Sequence, residues 1–172
     1  MKVLLTGSRG FLGWHTRLRL HATTENEVVA IDRSRWSELG PAVASADAII
    51  HIAGANRGTE QEIQETNVRL AHDVAAAVTG VGKPMRVVLA GTIQAGGDTA
   101  YGQSKAAAAR IIGDAAARAG GEFVDIELPN LFGEHARPNY NSFVATVIDH
   151  TIMGTQPQIA DRRVGLLHVQ AA

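Results

Sequence analysis

The chain has 172 residues, 45% of them hydrophobic and 19% charged, and its formal net charge is −1. This length predicts one domain over 1–172, and the balanced charge argues against a nucleic-acid partner because there is no basic excess to neutralise phosphates. Cysteine is absent and the seven histidines show no metal-binding spacing, so no metal site is predicted. No apolar run approaches the roughly 20 residues of a membrane span, so the default expectation is a cytoplasmic location without a membrane partner.

Three glycines spaced three residues apart follow the first apolar run, and an amphipathic pattern comes directly after them. This order predicts a strand, a tight turn and the start of a helix, the context in which a glycine-rich loop binds a dinucleotide. Gly7 would make the turn, Gly10 would let a pyrophosphate approach the backbone, and Gly13 would let helix and strand pack closely. Free amides and the helix dipole would hold the phosphates. The predicted loop consists of Gly7, Arg9, Gly10, Phe11, Leu12 and Gly13.

An acidic residue, Asp32, follows the second predicted strand, 27–31. It lies about 20 residues beyond the glycines, where a carboxylate binds the ribose hydroxyls of the adenosine. Arg33 and Arg35 come directly after it and Arg9 lies in the glycine loop, and guanidinium groups are suited to a 2′-phosphate. Alternatively, Arg33 and Arg35 are solvated charges at a helix start. On this basis NADP is slightly favoured over NAD as the cofactor.

Strands and helices alternate along the rest of the chain. A continuous apolar run, 48–54, is typical of a parallel strand buried on both faces. It ends in Ala53 and Gly54, small residues at a strand end where ligands bind in open α/β sheets. Alternation with short connections predicts an α/β fold with a doubly wound parallel sheet. The other predicted elements are helices over 11–22, 37–46, 60–79, 101–119 and 143–153, and strands over 85–90, 122–128 and 164–169.

Tyr101 and Lys105 lie four residues apart at the start of a predicted helix, so their side chains share one helix face. A tyrosine titrates near ~10, and an ammonium one turn away is expected to lower its pKa by stabilising the phenolate. Proton exchange near neutrality would then be possible. Thr92 ends the preceding strand and could donate a hydrogen bond to a substrate carbonyl. Most Tyr-x-x-x-Lys pairs are helix surface, but the order of these motifs favours a catalytic set.

These motifs together resemble those of the extended short-chain dehydrogenase/reductases, the NAD-dependent epimerase/dehydratase family. The residues that carry the resemblance are Thr6-Gly7-x-x-Gly10-Phe11-Leu12-Gly13, Asp32, Ala53-Gly54, Asn67, Thr92 and Tyr101-x-x-x-Lys105. The resemblance spans essentially the whole chain and implies a Rossmann fold that binds NAD or NADP. Members of this family normally continue into a smaller substrate-binding region, which is largely absent from 1–172, so the chain is expected to be either short by nature or truncated.

Four further stretches look like the reductase domain of bacterial capsular-polysaccharide enzymes that act on nucleotide-linked 4-keto-sugars. They are 51–57, 93–95, 129–133 and 137–142. By this resemblance the substrate is a nucleotide sugar, and the residues on the substrate side are Gln94, Asn130, Arg137, Asn139 and Asn141. In the alternative interpretation these are turn residues, for which Pro138-Asn139 is suited.

The resemblance implies a reductase that delivers hydride from the nicotinamide to a keto carbon. Tyr101 would protonate the oxyanion, Lys105 would tune Tyr101 and hold the nicotinamide ribose, and Thr92 would orient the carbonyl. The alternative within the family is an epimerase with the same three residues. A dehydratase is disfavoured because Ile93-Gln94, which follow the threonine, cannot transfer protons at neutral pH.

The alternative from another class is a cofactor-binding sensor or partner subunit without catalysis. The short C-terminal region favours it, and the complete set of three catalytic residues opposes it. A homodimer through helices 60–79 and 101–119 is also expected, as is common in the family. The second of these helices is rich in alanine and would cover little core in a monomer, which would leave an unusually large apolar patch exposed.

Overall fold

Strands and helices alternate in the first of two units into which the chain divides. The computed structural model describes residues 1–161 and 163–172, and the units are Met1–Glu127 and Leu128–Ala172. The elements that begin in the first unit are β1 (Lys2–Thr6), α1 (Phe11–Thr23), β2 (Glu27–Ile31), a 3₁₀ helix (Arg33–Glu38), α2 (Leu39–Ser45), β3 (Ala48–His51), α3 (Glu60–Val81), β4 (Arg86–Thr92), α4 (Ala100–Arg118) and β5 (Glu122–Leu128).

The described strands of this unit form a five-stranded sheet in the order β2-β1-β3-β4-β5. β1 pairs in parallel with β2 and with β3, and β3 pairs in parallel with β4. Leu4 of β1 lies opposite both Val29 and Ile49, and apolar runs of this kind suit strands that are covered on both faces. The strand order changes direction between β1 and β3, so ligands are expected at their carboxyl ends. The predicted α/β fold with a parallel sheet is confirmed.

The core of the first unit lies between the sheet and helices α2, α3 and α4. Its buried members include Leu4 from β1, Val74 from α3 and Ile112 from α4, and burying an aliphatic side chain of this kind stabilises a fold by about 1.5–3 kcal/mol. Trp36 packs against this core from the 3₁₀ helix. Its indole N–H donates to Asp73 on α3 at 2.8 Å, which ties the region after β2 to the helix layer.

The alanine-rich part of α4 contributes directly to this core. Ala108, Ala115 and Ala116 are buried, and Ala117 is exposed. The sequence argument for a dimer assumed that this helix would cover little core, and that assumption is wrong because α4 packs against both α3 and β4. The dimer itself stays a prediction.

Two element boundaries differ from the expected ones for reasons of local hydrogen bonding. The strand predicted over 48–54 ends at His51, because the amides of Ile52 and Ala53 donate to the Thr6 hydroxyl instead of continuing a ladder. The helix predicted over 37–46 is preceded by the 3₁₀ helix, whose first turn is capped where Asp32 accepts the Ser34 amide at 2.8 Å.

The second unit is built around a short two-stranded parallel sheet. Its elements are β6 (Asn130–Phe132), α5 (Phe143–Ile152), β7 (Leu166–His168) and a 3₁₀ helix (Val169–Ala171). The last predicted strand, 164–169, is therefore present in shortened form. The expectation of one domain over 1–172 stays a prediction. Within 1–161 and 163–172, no helix combines the length and the apolar character needed to cross a membrane.

Candidate active site

The connection between β1 and α1 has the close packing that its glycines predict. Gly7 has φ +69°, and a Cβ on it would lie 2.7 Å from the Ala53 amide nitrogen. A Cβ on Gly13 would collide with the Gly7 carbonyl oxygen. The Gly10 amide donates to that same carbonyl at 2.9 Å, which closes the turn. Side chains larger than hydrogen are excluded at Gly7 and Gly13 by backbone atoms, so these two glycines fix the loop.

The N-terminus of α1 is open. Gly10 is its N-cap residue, no side chain of the described chain caps it, and its first turn carries no acidic residue. By contrast, Thr59, Thr99 and Ser142 cap the other long helices α3, α4 and α5 with their hydroxyls. Gly10 is exposed, and a Cβ on it would meet only the Gly7 carbonyl oxygen, at 3.3 Å. Free amides with room above them fit the pyrophosphate of a dinucleotide.

Asp32 lies at the end of β2 and pairs with an arginine of the glycine loop. Arg9 Nε is 2.6 Å from its carboxylate. The Ser34 hydroxyl also donates to it, at 2.6 Å, and this bond, with a smaller contribution from Arg9, lowers the pKa of Asp32. Arg35 is engaged elsewhere, since it bonds Glu38 and the carbonyl of the strand before it. Arg33 is exposed. Of the three arginines expected near Asp32, Arg9 therefore pairs with its carboxylate, Arg35 is bound to Glu38, and Arg33 is the exposed residue that follows Asp32 in the chain.

A buried histidine connects the carboxyl ends of β1 and β3 through a hydrogen bond. His51 Nδ1 is 2.8 Å from the Thr6 hydroxyl oxygen, which accepts the amides of Ile52 at 3.2 Å and Ala53 at 3.3 Å. Because the hydroxyl already accepts two amides, its one proton goes to Nδ1, and the imidazole proton is on Nε2. Burial, with a smaller effect of Lys105, lowers the pKa of His51 to about 3. His51 is thus a neutral structural group that fixes the backbone of Ala53.

Asn67 on α3 connects the loop after β3 with the start of α4. Its Oδ1 accepts the Ala55 amide at 2.6 Å. Its Nδ2 donates to the Ala55 carbonyl and to the Ser104 hydroxyl, both at 2.9 Å. Ser104 in turn donates to the Tyr101 carbonyl at 2.8 Å. A Cβ on Gly54 would lie 3.1 Å from Asn67 Oδ1. The amide therefore holds two loops of the site in a fixed relation.

Thr92 lies at the end of β4, and Tyr101 lies at the start of α4. The turn that follows Thr92 packs against this helix start. Thr92 is buried at the end of β4, and the turn after it is closed by the bond from the Ala95 amide to the Thr92 carbonyl. Tyr101 is in the first turn of α4, where Thr99 caps the Gly102 amide at 3.0 Å. A Cβ on Gly102 would collide with the carbonyl oxygen of Gln94. The structure thus brings the strand end and the helix start into one region.

Lys105 is the buried cation of this region. It is 7% exposed, and its Nζ donates to the Ala90 carbonyl at 2.6 Å. Burial lowers the pKa of Lys105 to about 8, against an opposite effect of the Asp125 carboxylate. Burial also raises the pKa of Tyr101. The expected lowering of the tyrosine pKa by the ammonium is therefore wrong for this arrangement, because burial disfavours the charged phenolate and is the cause that sets the direction of the shift.

The residues expected on the substrate side are distributed over both units. Gln94 is exposed in the turn after β4. Asn130, Arg137, Asn139 and Asn141 belong to the second unit and are exposed.

Within that unit Asn139 is engaged in the fold. It has φ +55°, its Nδ2 donates to Asp149 at 3.3 Å, and its Oδ1 is 3.2 Å from His150 Nε2. Arg137 lies over the Tyr140 ring, 6.0 Å from the centroid, and Asn130 Nδ2 donates to the Gly165 carbonyl at 3.4 Å. Their substrate roles stay predictions.

Comparison with known proteins identifies the family. The model of the NAD dependent epimerase/dehydratase family matches residues 3–160. The chain belongs to this family. The Rossmann-type sheet and the open N-terminus of α1 agree with the nicotinamide dinucleotide on which the family depends, and the resemblance inferred from the sequence motifs is confirmed.

Two relatives are more specific. The chain is 36% identical over 161 residues to a UDP-2-acetamido-2,6-β-L-arabino-hexul-4-ose reductase of Pseudomonas aeruginosa, covering 92% of this chain and 43% of that protein. It is 29% identical, with a TM-score of 0.79, to the capsular polysaccharide assembling protein CapF of Staphylococcus aureus, covering 98% of this chain and 46% of that chain. The epimerase/dehydratase chain described here thus spans less than half the length of both relatives.

A more distant structure shares the fold alone. A DesIV double mutant (dTDP-glucose 4,6-dehydratase) from Streptomyces venezuelae, with NAD bound, matches with a TM-score of 0.85 at 19% identity. This match covers 98% of the chain and 68% of that structure. The two chains therefore share one fold.

Sequence reasoning did not assign a role to several polar residues that organise the site. Asn67 was recognised as part of the motif set, but its bonds to Ala55 and Ser104 were not foreseen. His51 was noted only as the first residue of the stretch 51–57 that supported the resemblance, and Asp125 was not singled out. The available signal was a polar residue inside an apolar pattern, as for Asn67 between the apolar positions of α3. Such a residue is buried only if it finds partners, and those partners come from other elements.

Proposed function

We propose that this chain is the cofactor-binding and catalytic part of an NAD(P)-dependent reductase that acts on a nucleotide-linked 4-keto-sugar. The observation that carries the proposal is the grouping of Thr92, Tyr101 and Lys105 at the carboxyl end of β4 and the start of α4, in the same unit as the open N-terminus of α1. The named activity of the P. aeruginosa relative, reduction of a UDP-linked hexul-4-ose, supports the substrate class.

In this proposal the bound nicotinamide supplies a hydride to the keto carbon. The Tyr101 hydroxyl gives its proton to the oxyanion, and the Thr92 hydroxyl donates a hydrogen bond to the same oxygen. The raised pKa of Tyr101 keeps the phenol protonated at neutral pH, which suits a proton donor. The Lys105 ammonium stabilises the phenolate left behind and binds the nicotinamide ribose. Gln94 is proposed to contact the nucleotide sugar. The same role is proposed for Asn130, Arg137, Asn139 and Asn141 on the sequence resemblance alone.

We further propose a modest preference for NADP over NAD. The Asp32 carboxylate would repel a 2′-phosphate, but Arg9 already offsets its charge across 2.6 Å, and the exposed Arg33 offers a second guanidinium. Arg33→Ala should lower the affinity for NADP and leave that for NAD unchanged, as measured by calorimetry. Arg35→Ala is the matched control, because that guanidinium is bound to Glu38. A clear preference for NAD that Arg33→Ala does not change would contradict the proposal.

The homodimer is proposed through α3 and α4. The half-buried Ala106, Ala107 and Ala109, and the exposed Ala117, would allow a second copy to approach α4 closely. Light scattering at micromolar concentration should give the mass of a dimer, and a monomer there would disprove this part of the proposal.

The function is tested by supplying NADPH or NADH with UDP-linked 4-keto-hexoses and following oxidation of the cofactor by absorbance. The control substrates are the same sugars with a hydroxyl at C4. Oxidation that requires the keto group is expected. Interconversion of two nucleotide sugars without net oxidation would indicate an epimerase instead. Cofactor binding without turnover, in this chain and in a chain extended to the length of the P. aeruginosa relative, would indicate a binding module.

A further inference from the structure

Two charged groups, the Asp125 carboxylate and the buried Lys105 ammonium, lie against neighbouring residues of β4. Asp125 is on β5, next to β4. A Cβ on Gly91 would collide with its Oδ1 and would lie 2.8 Å from its Cγ. Gly91 directly follows Ala90, whose carbonyl accepts the bond from Lys105 Nζ at 2.6 Å. The carboxylate and the ammonium are thus held against neighbouring residues of one strand.

The carboxylate of Asp125 is incompletely satisfied. Its Oδ1 is buried and has no hydrogen-bond partner among the residues that the structure describes. A buried acceptor without a hydrogen-bond partner destabilises a fold, so a compensating interaction is expected. Lys105 Nζ carries three donors, and the bond to Ala90 uses one of them. The Lys105 ammonium is bonded to the residue that precedes Gly91, and its positive charge acts on the Asp125 carboxylate, so it is the group that can compensate the unpaired oxygen.

We propose that Asp125 is a positioning residue whose carboxylate is the fixed counter-charge of the Lys105 ammonium. It acts through Lys105 and does not touch the reacting atoms. This inference rests on the proposed function for its catalytic meaning, since only a charged Lys105 can stabilise the Tyr101 phenolate. The pairing itself is a property of the chain and is tested without turnover.

The other titratable groups that the structure describes near Lys105 carry no negative charge at neutral pH, so Asp125 is the group that can act as its counter-charge. His51 on β3 is neutral, because burial lowers its pKa to about 3. Tyr101, on the same helix, keeps its proton because burial raises its pKa. Burial also raises the pKa of Asp125, against an opposite effect of Lys105, while Glu127 adds to the rise. Asp125 is thus the neighbour whose negative charge raises the pKa of Lys105.

Loss of the Asp125 charge would strongly affect the protonation of Lys105, because the pKa of this lysine is already close to neutral pH. Burial lowers its pKa to about 8, so Lys105 begins to lose its charge just above neutrality. An opposing charge removed from such a site lowers an ammonium pKa further, here by roughly half a unit to one unit. Lys105 would then be mostly neutral at slightly alkaline pH, and the phenolate would lose its partner.

The test is a carbon-13 NMR titration of the lysine ε-carbons in the intact chain. The sequence contains only three lysines, so the signals of Lys2 and Lys83 are internal references. Asp125→Asn should lower the titration midpoint of Lys105 by roughly half a unit to one unit and leave the reference signals in place. Asp114→Asn is the matched control, because Asp114 is exposed on the same helix as Lys105. Gly91→Ala should reproduce the shift by displacing the carboxylate.

A reciprocal measurement needs no variant. In the wild-type chain the side-chain carboxyl carbon of Asp125 should show an inflection at the pH where Lys105 titrates. An unchanged Lys105 midpoint in Asp125→Asn, or no such inflection in the wild type, would overturn the pairing even if the enzyme is active. Conversely, a shifted midpoint in a chain that reduces no keto-sugar would leave the pairing intact and count against the proposed function alone.

Discussion

The connections β1–α1 and β4–α4 both lead from the carboxyl end of a parallel strand through glycines into a helix, but they differ in whether a side chain caps the N-terminus of that helix. At β1–α1 the helix start is left open over Gly10. At β4–α4 the Thr99 hydroxyl caps the helix start, and the first turn of that helix carries Tyr101. In the proposed function, the first connection presents backbone amides to the cofactor, while the second supports the side chains that carry the chemistry. On this proposal, the same local topology serves binding where the helix N-terminus is uncapped and chemistry where it is capped.

The two regions also differ in how they treat a buried basic group. His51, at the ends of β1 and β3, is matched by Thr6 and is neutral. Lys105, beside β4, has one bond to a carbonyl and a carboxylate nearby, and its pKa is about 8. A matched neutral group stabilises a scaffold, whereas a group that titrates near neutrality is available for proton chemistry.

The largest expected effect is that of Tyr101→Phe. Removing the phenol denies the oxyanion its proton, so kcat should fall by about 10²–10⁴-fold with little change in cofactor affinity. The matched control is Tyr140→Phe, since Tyr140 is the other of the two tyrosines and is exposed. Steady-state kinetics on a 4-keto-sugar decide the question. If kcat of the Tyr101→Phe variant lies within a few-fold of the wild-type value, the β4–α4 connection does not supply the proton donor.

Thr92→Val comes next. It removes one donor to the oxyanion while keeping the shape of the side chain, and kcat should fall on the order of 10²-fold. Thr16→Val is the control, because that hydroxyl bonds only the Leu12 carbonyl inside α1. If both variants lose the same activity, Thr92 has no special place in catalysis.

Gly10→Val tests the open helix start. Gly10 has φ −72° and ψ 168°, which valine adopts readily, and the Gly7 carbonyl oxygen, 3.3 Å from the added Cβ, needs to shift by only a few tenths of an ångström, so the variant should fold. The added side chain would occupy the place of a phosphate, and the loss of charge-assisted bonds should weaken NAD(P) binding by about 10–100-fold. Gly40→Val is the control, since a Cβ there meets nothing within 4 Å. Calorimetry that finds equal affinities for wild type and Gly10→Val would place the pyrophosphate elsewhere.

Burial of His51 should make the free energy of unfolding depend on pH. The folded chain keeps His51 neutral down to about pH 3, while the unfolded chain protonates it near 6.5. Below pH 6.5 the unfolded state therefore binds the extra proton, and the free energy of unfolding falls as pH is lowered, by up to about 1.4 kcal/mol per unit. Urea unfolding between pH 7 and 5 measures this slope. It should be reduced in His51→Asn and kept in a variant of the exposed His72; equal slopes in all three would refute the prediction.

The smallest expected effect is that of Thr99→Ala. Loss of the bond to the Gly102 amide should lower the free energy of unfolding by about 1 kcal/mol and reduce activity slightly, because the turn that holds Tyr101 frays. Thr59→Ala, which removes the equivalent cap from α3, should cost a similar free energy and leave activity unchanged. Equal effects of the two on activity would mean that capping at α4 serves the fold alone.

The sequence by itself determined the features that depend on residues close together in the chain. The strand–glycine–helix order predicted the β1–α1 loop and its three glycines, and the alternation of apolar runs predicted the parallel sheet. The four-residue spacing of Tyr101 and Lys105 placed both on one face of α4. Each of these depends on backbone geometry within a few residues, so a pattern in the chain is sufficient to reveal it.

Only the tertiary structure decided the electrostatics and the polar partners. The pKa of Tyr101 is raised rather than lowered because of burial, which depends on all the packed elements and not on the neighbour one helical turn away. The partners of Asn67 and the neighbour of Gly91 come from elements 12 to 37 positions away along the chain. Desolvation and long-range contact are set by how helices and strands pack, and no local spacing encodes them.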